Sequence, residues 1–173
     1  DLITFAILSL NTGVVPDKLK IAKVIPIYKN GSNDNLSNYR PISILPIFSK
    51  ILEKCVYSRV YKFLEKCNII TPKQFGFRAG HSTSSAITDF IHKVTNAFDN
   101  KEIMIGLFLD LSKAFDSLDH SILLKKLECY GFRGIVLEWF KSYLSNRKQY
   151  VVLEKCESQT MAIRCGVPQG SIL

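Results

Sequence analysis

"LFLDLSKAFDSLDH", residues 107–120, drives an apolar run into Asp110, passes the aromatic Phe115, and supplies two further carboxylates at Asp116 and Asp119. The continuous run "IMIGLFL" at 103–109 predicts a strand covered on both faces. A carboxylate at the C-terminal end of such a strand is held on a rigid element and projects beyond the sheet edge, where it can serve as a hard oxygen ligand for Mg²⁺. Taken alone, Asp110 can equally cap the turn, and Phe115 can equally be a core aromatic. Asp119 fits an N-cap for a helix carrying Leu123, Leu124 and Leu127. Asp116 is assigned a local structural role.

Outward from this stretch, helical and extended segments alternate. "KVIPIY" (23–28) predicts a short strand entering the exposed, mobile loop "KNGSNDNLSN", and Pro41 holds Arg40 extended in "YRPISILP". From Ser49 as N-cap, Leu52, Val56, Val60, Phe63, Leu64 and Cys67 recur at helical spacing, with Asn68 as the stop. A second helix from about Thr83 places Ala86, Ile87, Phe90, Ile91, Val94 and Phe98 on one face, with His92 opposite. The irregular "TPKQFGFRAGHST" lies between the two. After "GFRG" breaks the helix begun at Asp119, "IVLEWFKSYL" forms another that ends near Asn146. "KQYVVLE" and "QTMAIRC" then read as an antiparallel pair leading into "GVPQGSIL".

The chain has 173 residues, 47% of them hydrophobic and 22% charged, which suits one globular domain or two small lobes and excludes a disordered tail. No apolar run reaches the roughly 18 residues of a membrane span. No basic segment precedes the first apolar stretch, so it does not read as a secretory signal, and the Asp at position 1 reads as a cut end. The five cysteines are odd in number and lack CxxC spacing, which favours buried, reduced thiols over zinc or disulfides. Net charge is +8, concentrated in residues 1–78, where 12 Lys and Arg face 5 Asp and Glu. A basic half beside a nearly neutral one suggests a polyanion held by the first and chemistry in the second.

The blocks also carry a family resemblance. "FLDLSKAFDSLDH" resembles motif A of the reverse transcriptases of non-LTR, LINE-type retrotransposons, the jockey-like group in particular. "KIAKVIPIYKNG" with "NYRPISILPIFSKILEK" is similar to the fingers motifs of that family, "QFGFRAGHST" to its next block, and "GVPQGSIL" to the start of its motif B. These blocks stand in family order from about Gly13 to Leu173. Maturases of group II introns share related blocks, but "LDLSKAFDSLDH" fits the LINE version better.

The resemblance implies an α+β fold: fingers and partial palm of a right-hand polymerase with an incomplete palm sheet. Residues 1–100 would be fingers-like, and 101–173 would run from motif A to the start of motif B. It makes Asp110 a catalytic metal ligand, with the Leu111 carbonyl beside it. Phe115 becomes a steric gate against the ribose 2′-hydroxyl, and Lys29 and Arg40 become contacts to the triphosphate. Gln169 would lie by the incoming nucleotide and template base, Gln74 and Arg78 along the template, and Gly166 and Gly170 where backbone approaches nucleic acid. The implied partners are an RNA template, a DNA primer and deoxynucleoside triphosphates, without a membrane, in an intracellular setting, nucleus or cytoplasm.

Two Mg²⁺ ions are expected in the intact site. The family completes that site with paired aspartates, and no two aspartates are adjacent in this chain. The chain is therefore expected to be a fragment of an RNA-directed DNA polymerase that cannot assemble the metal site alone. The alternatives are a non-catalytic nucleic-acid-binding remnant or a decayed element copy.

Overall fold

The computed structural model describes residues 2–154 and 156–173. They divide into two compact units, one formed by residues up to Val60 together with Ser112–Leu173, the other by Tyr61–Leu111.

In the first unit, helix α1 (Leu2–Thr12) and a short 3-10 turn (Asp17–Lys20) lead into strand β1 (Ile21–Tyr28). Strand β2 (Tyr39–Ile44) returns antiparallel, pairing Lys23 with Ile44 and Tyr28 with Tyr39. Strand β3 (Lys148–Leu153) lies on the other side of β1, parallel to it, from Ile21↔Lys148 to Val24↔Val151. Two short strands, β4 (Cys156–Glu157) and β5 (Met161–Ala162), pair antiparallel with β3. The result is an open mixed sheet in the order β2-β1-β3-β4, with β5 also on β3.

The two strand prolines fit this arrangement. Pro26 and Pro41 face each other across β1 and β2, and Pro26 lies beyond Val24, where pairing with β3 ends. Its missing N–H therefore removes no ladder bond on the β3 side.

Alternation along β1 places Ala22 and Val24 in the core. The other buried apolar side chains come chiefly from α2 (Ile47–Lys66) and α5 (Ile135–Leu144): Leu52 and Val56 from the first, Leu137, Trp139, Phe140, Tyr143 and Leu144 from the second. Trp139 stacks on Tyr143 and donates its indole N–H to Ser9 of α1 at 3.2 Å. Helix α4 (His120–Cys129) packs against α5.

Of the three helix ends assigned by side-chain chemistry, Asp119 and Asn68 agree with the structure and Ser49 does not. Asp119 is the N-cap of α4, its carboxylate accepting the backbone N–H of Ser121 at 2.7 Å and of Ile122 at 3.0 Å. Asn68 ends α2 in the left-handed region with φ 52°, while Ile69 N–H bonds the Leu64 carbonyl and Asn68 N–H bonds Glu65. Ser49 does not cap α2. The Pro46 carbonyl accepts the N–H groups of Ser49 and Lys50, so the helix starts earlier and Ser49 turns its hydroxyl inward to Glu53.

In the second unit, α3 (Thr83–Asp99) is capped by Ser82, and Phe90 meets Phe108 edge-on with ring centroids 5.6 Å apart. The strand expected at 103–109 does not form. Ile103 is 94% exposed and Leu109 84%, and no described residue pairs with the segment. A strand satisfies its backbone only through neighbours, and apolar sequence cannot supply them. The cysteines are free, as expected, but not buried: Cys67, Cys129, Cys156 and Cys165 are exposed. Cys67 continues the apolar spacing of α2 but lies just past its last residue, Lys66.

Candidate active site

The segment 163–173 crosses from β5 back toward β2 and is fastened on the way. Gly166 donates its N–H to the Leu118 carbonyl at 2.7 Å, and Val167 donates to Phe115 at 2.8 Å. His120 brings Nε2 within 2.6 Å of the Gly166 carbonyl, so the ring nitrogen is the donor. At Gly166, φ is +80° and a Cβ would stand 2.7 Å from the Asp116 carbonyl oxygen and 2.8 Å from that of Phe115. Only glycine accepts both the backbone angle and the contact. "GVPQG" thereby closes onto the turn 112–118, although the two are far apart in sequence.

The next tie is to the sheet. Ser43 of β2 donates its N–H to the Gln169 carbonyl at 2.8 Å, and at Gly170, with φ +117°, a Cβ would stand 2.9 Å from the Ser43 carbonyl oxygen. Between this segment and the sheet lies a cleft of about 410 Å³, lined by Pro41, Ser43, Asp116, Gln149 and Gln169 among others. In this structure the close approach that Gly166 and Gly170 permit is to protein backbone. The backbone N–H of Asp116 closes a turn on the Lys113 carbonyl at 2.9 Å.

Lys29 and Arg40 are exposed on the hairpin of β1 and β2. Arg40 stands opposite Ile27, and the Lys29 N–H bonds the Asn38 carbonyl at 2.8 Å. Alternation places Lys29, Ile27 and Arg40 on the same face, away from the face of Pro41 and Ser43 that borders the cleft. Phe115, part of the turn held by Val167, also belongs to this unit.

Asp110, Leu111, Gln74 and Arg78 belong to the second unit. Arg78 is engaged within it: Nε and one terminal nitrogen reach the two oxygens of Glu65 at 3.0 and 3.2 Å, and the other terminal nitrogen donates to the Thr71 carbonyl at 3.1 Å. That pairing, led by the Arg78 hydrogen bond, holds the Glu65 carboxyl below its ordinary range. Gln74 sits in the same loop, its amide reaching the Gly76 carbonyl at 3.4 Å. Asp110 and Leu111 are exposed. Among the described residues no three His, Cys, Asp or Glu side chains gather in a way that could hold a metal ion. One carboxylate and one carbonyl do not fit a two-ion site, which needs several converging oxygens.

Residues 27–173 match the family described as reverse transcriptase (RNA-dependent DNA polymerase). The chain belongs to the reverse transcriptase family. It is 35% identical over 162 residues to the probable RNA-directed DNA polymerase from transposon BS of Drosophila melanogaster, covering 91% of this chain and 17% of that protein. Against the RNA-directed DNA polymerase from mobile element jockey of the same organism, identity is 34% over 165 residues, covering 95% and 18%. The probable RNA-directed DNA polymerase from transposon X-element, also of that organism, is 35% identical over 162 residues, covering 91% and 17%. The non-LTR, jockey-like resemblance carried by the four sequence blocks is thus borne out, while the chain spans under a fifth of the length of these relatives. Reverse transcriptases use divalent metal ions and work on a nucleic-acid template with nucleotide substrates. No described helix is long and apolar enough to cross a membrane.

Sequence reasoning missed three residues around this site. His120 showed no partner spacing, because its partner lies 46 residues away. Glu53 carried a signal that was readable: an acidic residue among Ser49, Leu52 and Val56 on the inward face of α2. Arg147 carried none, since it stands in the polar run "SNRKQ".

Proposed function

We propose that this chain is the nucleotide-facing part of an RNA-directed DNA polymerase of a jockey-like non-LTR retrotransposon, with residues 1–100 fingers-like and 101–173 a partial palm. The observation that carries the reading is the closure of "GVPQG" onto both the Phe115–Asp116 turn and β2. Two blocks identified independently in sequence are thereby built into one body with the strand that bears Arg40.

In the parent enzyme, the 3′-hydroxyl of a DNA primer on an RNA template attacks the α-phosphate of a deoxynucleoside triphosphate in line, and pyrophosphate leaves. Lys29 and Arg40 offset charge on the phosphates, Lys as a point charge and Arg with forked donors. The Phe115 ring packs against C2′ and excludes a hydroxyl. Gln169 offers a neutral amide that accepts any base. Arg78 braces the loop that presents Gln74 to the template backbone, and Gly166 and Gly170 keep the "GVPQG" backbone free of side chains where nucleic acid passes. Asp110 and the Leu111 carbonyl are the chain's contribution to a Mg²⁺ site, and further carboxylates must complete it. Residues 1–173 alone are therefore inactive. The parent acts inside the cell, in nucleus or cytoplasm.

The test is Phe115→Val in the complete polymerase. Ribonucleotide incorporation relative to deoxynucleotide rises if the ring is the gate, and an unchanged ratio refutes the assignment. A second reading, a nucleic-acid-binding remnant without catalysis, is favoured by the basic first half of the chain. It requires single-stranded nucleic acid to bind residues 1–173 with affinity falling steeply as salt rises.

A further inference from the structure

Glu53 is 1% exposed and sits on the inward face of α2, where its carboxylate accepts three hydrogen bonds. One carboxylate oxygen accepts the Ser49 hydroxyl at 3.2 Å and the Tyr143 hydroxyl at 2.9 Å. The other accepts the backbone N–H of Ile172 at 2.8 Å, across 119 residues of sequence. The guanidinium of Arg147, itself fully buried, stacks over the Tyr143 ring 4.7 Å from its centroid and donates to the Tyr143 carbonyl at 3.0 Å. Burial, and next the negative charge of Glu53, push the Tyr143 hydroxyl well above its ordinary range, so it stays a donor. Burying a carboxylate is costly unless its lone pairs are met. Here the third donor comes from "GSIL" rather than from the helices around it.

We propose that Glu53 is a positioning residue for the reaction: its buried carboxylate clamps residues 168–173 through the Ile172 N–H and so sets where Gln169 sits on β2. The segment is held at two points, Ser43 to Gln169 on the sheet and Ile172 to Glu53 on α2. Between them Ser171 folds the chain back, its N–H donating to the Pro168 carbonyl at 3.1 Å and its hydroxyl to the Leu173 carbonyl at 2.6 Å. A bond from a backbone N–H to a buried carboxylate is among the stronger protein hydrogen bonds, so its loss frees the segment on the α2 side. The core need not open, because Ser49 and Tyr143 still face residue 53. The consequence for nucleotide use rests on the role proposed for Gln169, whereas the clamp itself does not.

Two variants test this, Glu53→Gln and Ile172→Pro. The first replaces one accepting oxygen with a donor; the second removes the donated N–H and leaves the carboxylate in place. Hydrogen exchange in residues 1–173 is expected to quicken about tenfold or more at the bonded amides of Ser43 and Ser171 in both. The amides of β1 and α5 keep their protection, as they do in a Tyr143→Phe control that leaves Ile172 bonded. If Glu53→Gln fails to fold, Ile172→Pro alone decides. Unchanged exchange at Ser43 and Ser171 in a folded variant overturns the clamp. In the complete polymerase both variants raise KM for the deoxynucleotide several-fold with a smaller effect on kcat. Faster exchange with unchanged KM overturns the positioning role. A parent inactive without any substitution overturns the proposed function while leaving the exchange test standing.

Discussion

Gly166→Ala puts a number on how tightly "GVPQG" is seated. At φ +80° an alanine meets the left-handed penalty of about 1–2 kcal/mol. Its Cβ also lands 2.7 to 2.8 Å from three backbone atoms of Phe115 and Asp116, which cannot rotate away as a side chain would. Overpacking of this kind costs roughly 1–3 kcal/mol, giving about 2–5 kcal/mol in all. The bonds from Gly166 to Leu118 and from Val167 to Phe115 share the strained joint. At about 2–4 °C per kcal/mol for a chain of this size, Tm falls by roughly 4–20 °C. Trp139, the single tryptophan and 2% exposed in the core of the same unit, provides the fluorescence readout. Gly31→Ala is the control: its φ is +96°, but the clash is with the Asn38 side chain, which can swing aside. It should cost only about 1–2 kcal/mol. Equal losses at the two glycines would refute the idea that backbone contact, rather than dihedral strain, makes Gly166 necessary.

Other outcomes follow from the same geometry. Hydrogen bonds from Ser121, then Ile122, hold the Asp119 carboxyl below its ordinary range. A depressed folded value means the cap's contribution is complete above the unfolded aspartate range and disappears as pH falls through the folded value. Asp119→Ala should therefore lower Tm near neutral pH and flatten its fall between about pH 5 and 2, measured by thermal melts across pH. Glu65→Gln frees the Arg78 guanidinium, so trypsin should cut after Arg78 several-fold faster than in the unsubstituted chain; an unchanged rate means that the loop does not depend on the pair. Gly170→Ala, with its Cβ 2.9 Å from the Ser43 carbonyl oxygen, should quicken exchange of the Ser43 amide about tenfold without unfolding the sheet.

What the sequence made legible was local. Helical spacing located α2 and α3, turn chemistry located the cap at Asp119 and the stop at Asn68, and the short stretch "KVIPIY" running into a loop located most of β1. The parallel pairing of β1 with β3 joins segments separated by more than 120 residues, and no nearby signal encodes it. The failure at 103–109 has the opposite cause: the segment reads as a strand by composition, but strand formation is a property of a pair, and no described residue supplies the second member. The site divides the same way. Its residue types were recognisable from ordered motifs, while the fastening of Gly166 to Leu118, His120 to Gly166 and Ile172 to Glu53 arises only when groups distant in sequence meet.

We propose Asp110 as a metal carboxylate of the complete RNA-directed DNA polymerase. Its most direct test is primer extension on an RNA template by the complete polymerase carrying Asp110→Asn, run beside a template-binding assay. The account predicts that extension falls by about a hundredfold or more while template affinity is kept. Extension at the unsubstituted rate would contradict it.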